Sequence, residues 1–177
     1  TNHSYMLWRF RKELIEQLQK NGEVVIITPF SGHEEDFKSL GCKCVQTHME
    51  RRGINPIADL HLLFNYYKLL RQEKPDMVIT YSIKPNIYSS LVCRLLNISY
   101  CVNIQGLGTA FQTKGISTLV TVMYKLALKK AKTVFFENHS VFASKASLSS
   151  DVAILKKRFN FVNFLLLLSL WQAVSSR

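Results

Sequence analysis

Hydrophobic positions along the chain switch repeatedly between a helical spacing and short continuous runs. Apolar side chains recur every three or four residues over residues 5–20, and this spacing predicts an amphipathic helix. Its expected buried stripe comprises Leu7, Phe10, Leu14 and Leu18. Residues 24–28 (VVIIT) follow as a β-branched run, which is typical of a strand buried on both faces.

A second long helix is predicted to begin at Asn55 and Pro56. Asparagine is a favoured N-cap, and proline is favoured at the first helical position because its missing N–H has no helical partner to lose. The apolar spacing that follows predicts a buried stripe made of Ile57, Leu60, Phe64, Tyr67 and Leu70.

The same alternation continues to residue 136. Residues 77–81, 100–104 and 133–136 read as strands, while residues 85–96 and 116–130 read as helices. A short helix over 34–40 and a weaker strand over 44–47 complete the pattern. Strands that alternate with helices predict an α/β fold: a Rossmann-like parallel sheet with helices on both faces. We expect the inner strands to be residues 24–28, 77–81, 100–104 and 133–136.

Both ends of the sequence depart from this pattern. The turn at residues 2–4 leads straight into a helix, so we expect the chain to lack the first strand of its sheet. Residues 139–150 contain five serines, and twelve of the sixteen residues 159–174 are apolar with no charge. We therefore predict a domain over residues 1–138 and a tail over 139–177 that is not native to the fold. The alternatives for the tail are a membrane-contacting segment and a packed core helix.

Composition narrows the class of protein. Hydrophobic residues make up 47% of the chain, with only 7 Gly and 4 Pro, which excludes disordered and low-complexity sequence. The formal net charge is +11, and this favours phosphates, a lipid surface or nucleic acid as partners. The spacing of the four cysteines does not suit a zinc site, so we interpret them as small buried side chains in the reducing cytoplasm.

Candidate chemistry follows from the position of the strand ends. Ligands of open parallel sheets bind outside the carboxyl ends of the strands. Glycines that follow a strand allow close backbone approach to an oxyanion or a hydroxyl, and a lysine at a helix start suits a phosphate. The substrate-binding residues predicted on these grounds are Asn2, His3, Ser4, Lys84, Asn86, Gln105, Gly106, Gly108, Thr109, Glu137 and Asn138.

Three stretches of the chain resemble bacterial glycosyltransferases of family 4. They read ERRGINP at residues 50–56, EKPDMVITYSIKPN at residues 73–86 and NIQGLGTAF at residues 103–111. AKTVFFEN at residues 131–138 fits the same family, so the resemblance covers about residues 1–138. Within the family, the chain is similar to the branch that builds capsule, O-antigen and other glycan precursors on lipid carriers.

The resemblance implies a GT-B fold, in which two Rossmann-like domains face a cleft. This chain resembles only the N-terminal, acceptor-side domain. The implied reaction is retaining transfer of a hexose or N-acetylhexosamine from a nucleotide sugar to a lipid-linked saccharide, with neither metal nor cofactor. The cysteines already indicate the cytoplasm, and the lysine cluster at residues 125–132 suits peripheral contact with an anionic membrane. Since the donor-binding domain would lie elsewhere, we expect the chain alone to be inactive.

Residue patterns by themselves leave other functions open. One alternative is a flavodoxin-like binding module without enzymatic activity, and another is a nucleotide-sugar epimerase on the same fold. A nucleic-acid binder rests on net charge alone, because no aromatic residues are interleaved with the basic clusters. We therefore expect no nucleic-acid partner.

Overall fold

The computed structural model of the chain describes residues 1–49, 55–105 and 114–136. Helices and strands alternate throughout these ranges, which confirms the predicted α/β class. The predicted tail over residues 139–177 lies outside the described residues. The elements are α1 Ser4–Gln19, β1 Val25–Thr28, α2 Glu34–Ser39, β2 Lys43–Gln46, α3 Pro56–Glu73, β3 Met77–Tyr81, α4 Ile83–Leu96, β4 Ser99–Ile104, α5 Lys114–Leu128 and β5 Thr133–Phe136.

The strands are parallel, as predicted, but they form two sheets. β1 pairs with β2, with Val25 opposite Lys43. The other sheet has the order β3-β4-β5, with Met77 opposite Ser99 and Cys101 opposite Thr133. Among the described residues only β4 has a strand on each side, whereas the sequence predicts four inner strands in one sheet. The difference arises between β1 and β3, which no hydrogen bond joins within the described ranges.

Helix α3 begins as the sequence predicts. The side-chain oxygen of Asn55 accepts a hydrogen bond from the Ala58 N–H at 3.3 Å, and Pro56 is the first helical residue. The helix ends at Glu73, and Lys74, which follows it, adopts the left-handed conformation with φ 47°.

The predicted buried face of α3 is wrong at its first three positions. Ile57 is 73% exposed, Leu60 54% and Phe64 64%. Leu70 is buried as predicted and Tyr67 packs against the core, where Leu62 and Tyr66 join them. Apolar residues surround this helix on more than one side, so their spacing alone does not select the face that meets the sheet.

Helix α1 buries Leu7 as predicted, but the rest of its buried face differs from the predicted one. Its buried residues follow a spacing of three to four and include a charged side chain: Ser4, Leu7, Arg11 and Ile15. Phe10, which the sequence assigns to the buried stripe, is 40% exposed. Arg11 occupies a buried position because its guanidinium lies over the ring of Tyr81, 5.3 Å from the ring centroid.

Two hydrophobic clusters hold the elements together. The larger is formed by α3, α4 and α5 against β3, β4 and β5, and it includes Tyr66, Val102 and Tyr124. The smaller joins α1, α2 and β1 to the end of β3 through Phe37 and Tyr81. Free thiols contribute to both, and the cysteines buried as predicted are Cys42, Cys93 and Cys101.

Candidate functional site

A cavity of about 140 Å³ opens at the carboxyl ends of the strands. It lies between the turn that precedes α1 and the residues that follow β3 and β4. This is the edge at which parallel α/β sheets bind their ligands. Its walls are formed by Thr1, Asn2, His3, Met6, Leu7, Arg11, Tyr81, Ser82 and Gln105.

Side-chain hydrogen bonds hold the turn before α1 between the ends of β1 and β3. The hydroxyl of Ser82 donates to the side-chain oxygen of Asn2 at 2.8 Å. On the other side, the backbone N–H of Ser31 donates to the hydroxyl of Ser4 at 3.0 Å. Ser4 is completely buried, so its hydroxyl holds the turn from the interior of the fold and does not face the cavity opening.

Ser82 is strained, and it is not among the predicted site residues. Its φ of 74° and ψ of 156° form a combination that glycine adopts far more readily than a residue with a Cβ. It stands at the sharp turn from β3 into α4, where its side chain faces the cavity. A serine carries no sequence signal for this backbone conformation, so periodicity and turn chemistry do not identify it.

Arg11 is a second residue of the site that is absent from the predicted set. It lines the cavity, is only 8% exposed and donates from Nη1 to the carbonyl of Phe10 at 2.9 Å. A signal for it exists, because Arg11 lies four residues from both Leu7 and Ile15 on one helical face. Among the described residues the cavity lining contains no carboxylate, so its electrostatics favour an anionic or hydroxyl-rich ligand.

Tyr81 completes the cavity wall next to Arg11. Burial raises the pKa of the Tyr81 hydroxyl, and the neighbouring guanidinium partly opposes this effect. The phenol therefore stays protonated near neutral pH and can donate a hydrogen bond.

Lys84 lies apart from the cavity lining. Its ammonium group contacts the carboxylate of Asp59 at 2.7 Å, and the two side chains are 14% and 8% exposed. Asp59 also forms a hydrogen bond with Tyr88, whose pKa is raised by burial and by this carboxylate. Lys84 thus joins the start of α4 to α3 through an ion pair that is largely shielded from water.

Asn86 is buried beneath the strand ends. It is 1% exposed, and its amide nitrogen donates to the carbonyl of Asn103 at 2.8 Å. The same nitrogen lies 3.5 Å from the hydroxyl of Tyr124 on α5. These contacts tie α4 to β4 and α5, and therefore position the end of β4 just before Gln105.

The structure brings together some of the predicted site residues and separates others. Asn2, His3 and Gln105 line one cavity, although they lie about a hundred residues apart in sequence. Ser4, Lys84 and Asn86 support the surrounding backbone. Five further predicted residues lie outside the described ranges: Gly106, Gly108, Thr109, Glu137 and Asn138.

No group of three or more His, Cys, Asp or Glu side chains is placed to hold a metal ion in residues 1–49, 55–105 and 114–136. Within the same part of the chain, none of the helices has the length and apolar character needed to cross a bilayer.

Comparisons with known proteins agree with this architecture. The family model described as glycosyl transferase 4-like matches residues 2–138, which confirms the resemblance found in the sequence. A crystal structure of MurG from Acinetobacter baumannii is similar with a TM-score of 0.52 and 20% sequence identity. The alignment covers 80% of this chain and 42% of the MurG chain, so the chain spans less than half the length of that structure. No curated protein matches the sequence.

Proposed function

Because the chain belongs to the glycosyl transferase 4-like family, we propose that it forms the acceptor-side domain of a sugar-transferring enzyme. The enzyme would move a hexose or N-acetylhexosamine from a nucleotide sugar to a lipid-linked saccharide, with retention of anomeric configuration. Its product would be a precursor of capsule, O-antigen or a related surface glycan. The observation that carries this proposal is the family match over residues 2–138.

The chemistry of the cavity supports a saccharide-diphosphate acceptor. Amide groups of Asn2 and Gln105 are suited to the hydroxyls of a sugar, because each amide offers both donors and an acceptor. Arg11 supplies positive charge next to these amides and suits a phosphate group. The cavity holds no nucleophile paired with a general base among its described lining residues, so the proposed role is to bind and orient the acceptor.

The outer face of α5 supports contact with an anionic membrane. Leu119, Val122 and Leu126 are each about half exposed on one side of this helix. Lys125 is exposed on the same helix, and Lys129 is exposed in the turn just after the end of α5. Apolar side chains next to lysines favour the surface of a bilayer that contains anionic lipids. We therefore place the proposed enzyme in the cytoplasm, at the inner face of the membrane.

A direct binding experiment tests the acceptor role. The isotope-labelled chain is titrated with a short-chain prenyl diphosphate carrying N-acetylhexosamine, and its amide resonances are followed by NMR. We expect shifts at Asn2, Ser82 and Gln105, and much smaller shifts with a nucleotide sugar or the prenyl alcohol alone. The proposal fails if the nucleotide sugar binds at this edge more tightly than the saccharide diphosphate.

A transfer assay tests the reaction. The complete gene product is incubated with labelled nucleotide sugars and lipid-linked acceptors, and the anomeric configuration of the product is read by NMR. We expect Asn2→Ala and Gln105→Ala to lower transfer, while Asn21→Ala at the exposed end of α1 serves as the matched control. We expect the 177-residue chain alone to transfer no sugar, because catalysis requires donor and acceptor to be held in one geometry.

A further inference from the structure

A row of aromatic rings leads from the cavity wall over the start of α1. His3 belongs to the cavity lining, and its ring centroid lies 6.1 Å from that of Tyr5. Tyr5 in turn lies 5.7 Å from His33, which stacks on Trp8 at 5.7 Å with an interplanar angle of 14°. Trp8 meets the buried ring of Phe37 edge-on at 5.2 Å. The row therefore continues the cavity at one end and is anchored in the smaller hydrophobic cluster at the other.

Polar contacts fix the two middle rings of this aromatic row. Nη1 of Arg9 donates to the hydroxyl of Tyr5 at 3.2 Å, one helical turn away. Nδ1 of His33 lies 2.6 Å from the carboxylate of Asp36, which sets the orientation of the imidazole. Rings that are already oriented lose little conformational entropy when a ligand covers them.

The same two rings are open to solvent. Tyr5 is 41% exposed, and the side chain of His33 is 30% exposed. The face of an aromatic ring carries partial negative charge and attracts the polarised C–H groups on the apolar side of a sugar ring. Two oriented, accessible rings that extend a cavity are therefore suited to stack against a saccharide.

The charges around the row favour a neutral ligand. Carboxylates occupy residues 34–36 in the first turn of α2, directly after His33. They offset the positive charge that Arg9 and Lys12 bring to the rings, and Lys38 forms ion pairs with two of them. Positive and negative groups thus balance here, although the whole chain has a net charge of +11. A surface without excess positive charge favours a neutral ligand over a polyanion or an anionic bilayer.

Resting on the proposed acceptor role of the cavity, we infer that Tyr5 and His33 form a second sugar subsite. It binds the sugar ring next to the one held in the cavity. The guanidinium of Arg9 and the carboxylate of Asp36 flank the two rings and offer hydrogen-bond donors and acceptors to the hydroxyls of that sugar. The acceptor of the complete enzyme therefore carries at least two sugars.

The experiment compares dissociation constants measured by NMR on the isotope-labelled chain. The first probe is a short-chain prenyl diphosphate that carries one N-acetylhexosamine. Two further probes carry the same sugar extended by one hexose, at O3 or at O4. Each is titrated into the unsubstituted chain and into the variants Tyr5→Ala, Tyr5→Phe and Phe10→Ala. Phe10 is the matched control, because it lies on the same helix, is 40% exposed and stands outside the aromatic row.

We expect the better disaccharide probe to bind about 10-fold more tightly than the monosaccharide probe, in the unsubstituted chain and in Phe10→Ala alike. Tyr5→Ala should abolish this ratio and leave the binding of the monosaccharide probe nearly unchanged, whereas Tyr5→Phe should keep the ratio because it keeps the ring. In the unsubstituted chain, only the disaccharide probes should shift the amide resonance of His33, a readout that does not depend on how well any variant folds.

Equal binding of all three probes to the unsubstituted chain would overturn the inference and leave the acceptor role of the cavity intact. A ratio that persists in Tyr5→Ala, or that Phe10→Ala also abolishes, would have the same meaning. If no probe shifts Asn2, Ser82 and Gln105, the proposed function itself fails and the second subsite fails with it. Selective broadening of Tyr5 and His33 by phosphatidylglycerol vesicles would assign the rings to a membrane surface and would likewise refute the subsite.

Discussion

The ion pair between Lys84 and Asp59 provides the most discriminating test of whether Lys84, at the start of α4, stabilises the fold or binds a ligand. The sequence predicts Lys84 as a substrate-binding residue, whereas the structure places its ammonium 2.7 Å from the Asp59 carboxylate with little access to water. Replacing Lys84 with Met leaves Asp59 as an uncompensated buried charge. Such a change costs about 3–5 kcal/mol in the free energy of unfolding.

A double-mutant cycle separates this structural role from a ligand-binding role. Unit charges about 4 Å apart attract each other by roughly 4 kcal/mol at an effective dielectric constant of about 20. We therefore expect Lys84→Met and Asp59→Asn each to destabilise the chain, and the double variant to lose about as much as one single variant. The coupling energy should then equal the loss caused by one single variant, about 3 kcal/mol or more. Urea unfolding followed by far-UV circular dichroism gives all four free energies.

The matched control is Lys68→Met on the exposed side of α3, for which a change within about 0.5 kcal/mol is expected. Additive single effects, or a loss below about 1 kcal/mol for Lys84→Met, would refute the reasoning. That result would mean that water screens the pair and that Lys84 remains available to a phosphate.

Two further measurements test other parts of the structure. Glycine usually makes a protein less stable than alanine at the same position, but the positive φ at Ser82 should reverse this order. In urea unfolding, we expect Ser82→Gly to be more stable than Ser82→Ala by about 1–2 kcal/mol. A more stable Ser82→Ala variant would refute backbone strain at this position. Among the thiols, half-buried Cys44 should react first with a disulfide reagent at pH 8. Cys93 should react last, because burial raises the pKa of its thiol to about 12. Fast modification of Cys93 in the folded chain would contradict its buried position.

Local structure followed closely from the sequence. Asn55 and Pro56 begin α3 as predicted, because capping depends on residues next to each other in the chain. The β-branched runs became β1, β3, β4 and β5 within one residue of the predicted bounds. The expectation that a site lies at the carboxyl ends of the strands also came from the sequence, because it depends only on the strands being parallel.

The faces of the helices did not follow from the sequence. Phe10 and Phe64 satisfy a helical spacing yet remain exposed, while Arg11 and Asp59 are buried. Each buried charge is explained by a partner from another element: Tyr81 of β3 for Arg11, and Lys84 of α4 for Asp59. A spacing pattern contains no information about such partners.

The sequence by itself determined the order of helices and strands, the parallel class of the sheet and the family to which the chain belongs. These features depend on short-range periodicity, capping and motif residues, all of which are encoded locally. Only the tertiary structure decided that Asn2 meets Ser82, that Lys84 is held by Asp59, and that β1 and β3 belong to separate sheets within the described part of the chain. Such contacts join residues far apart in the chain, and their geometry is set by how whole elements pack.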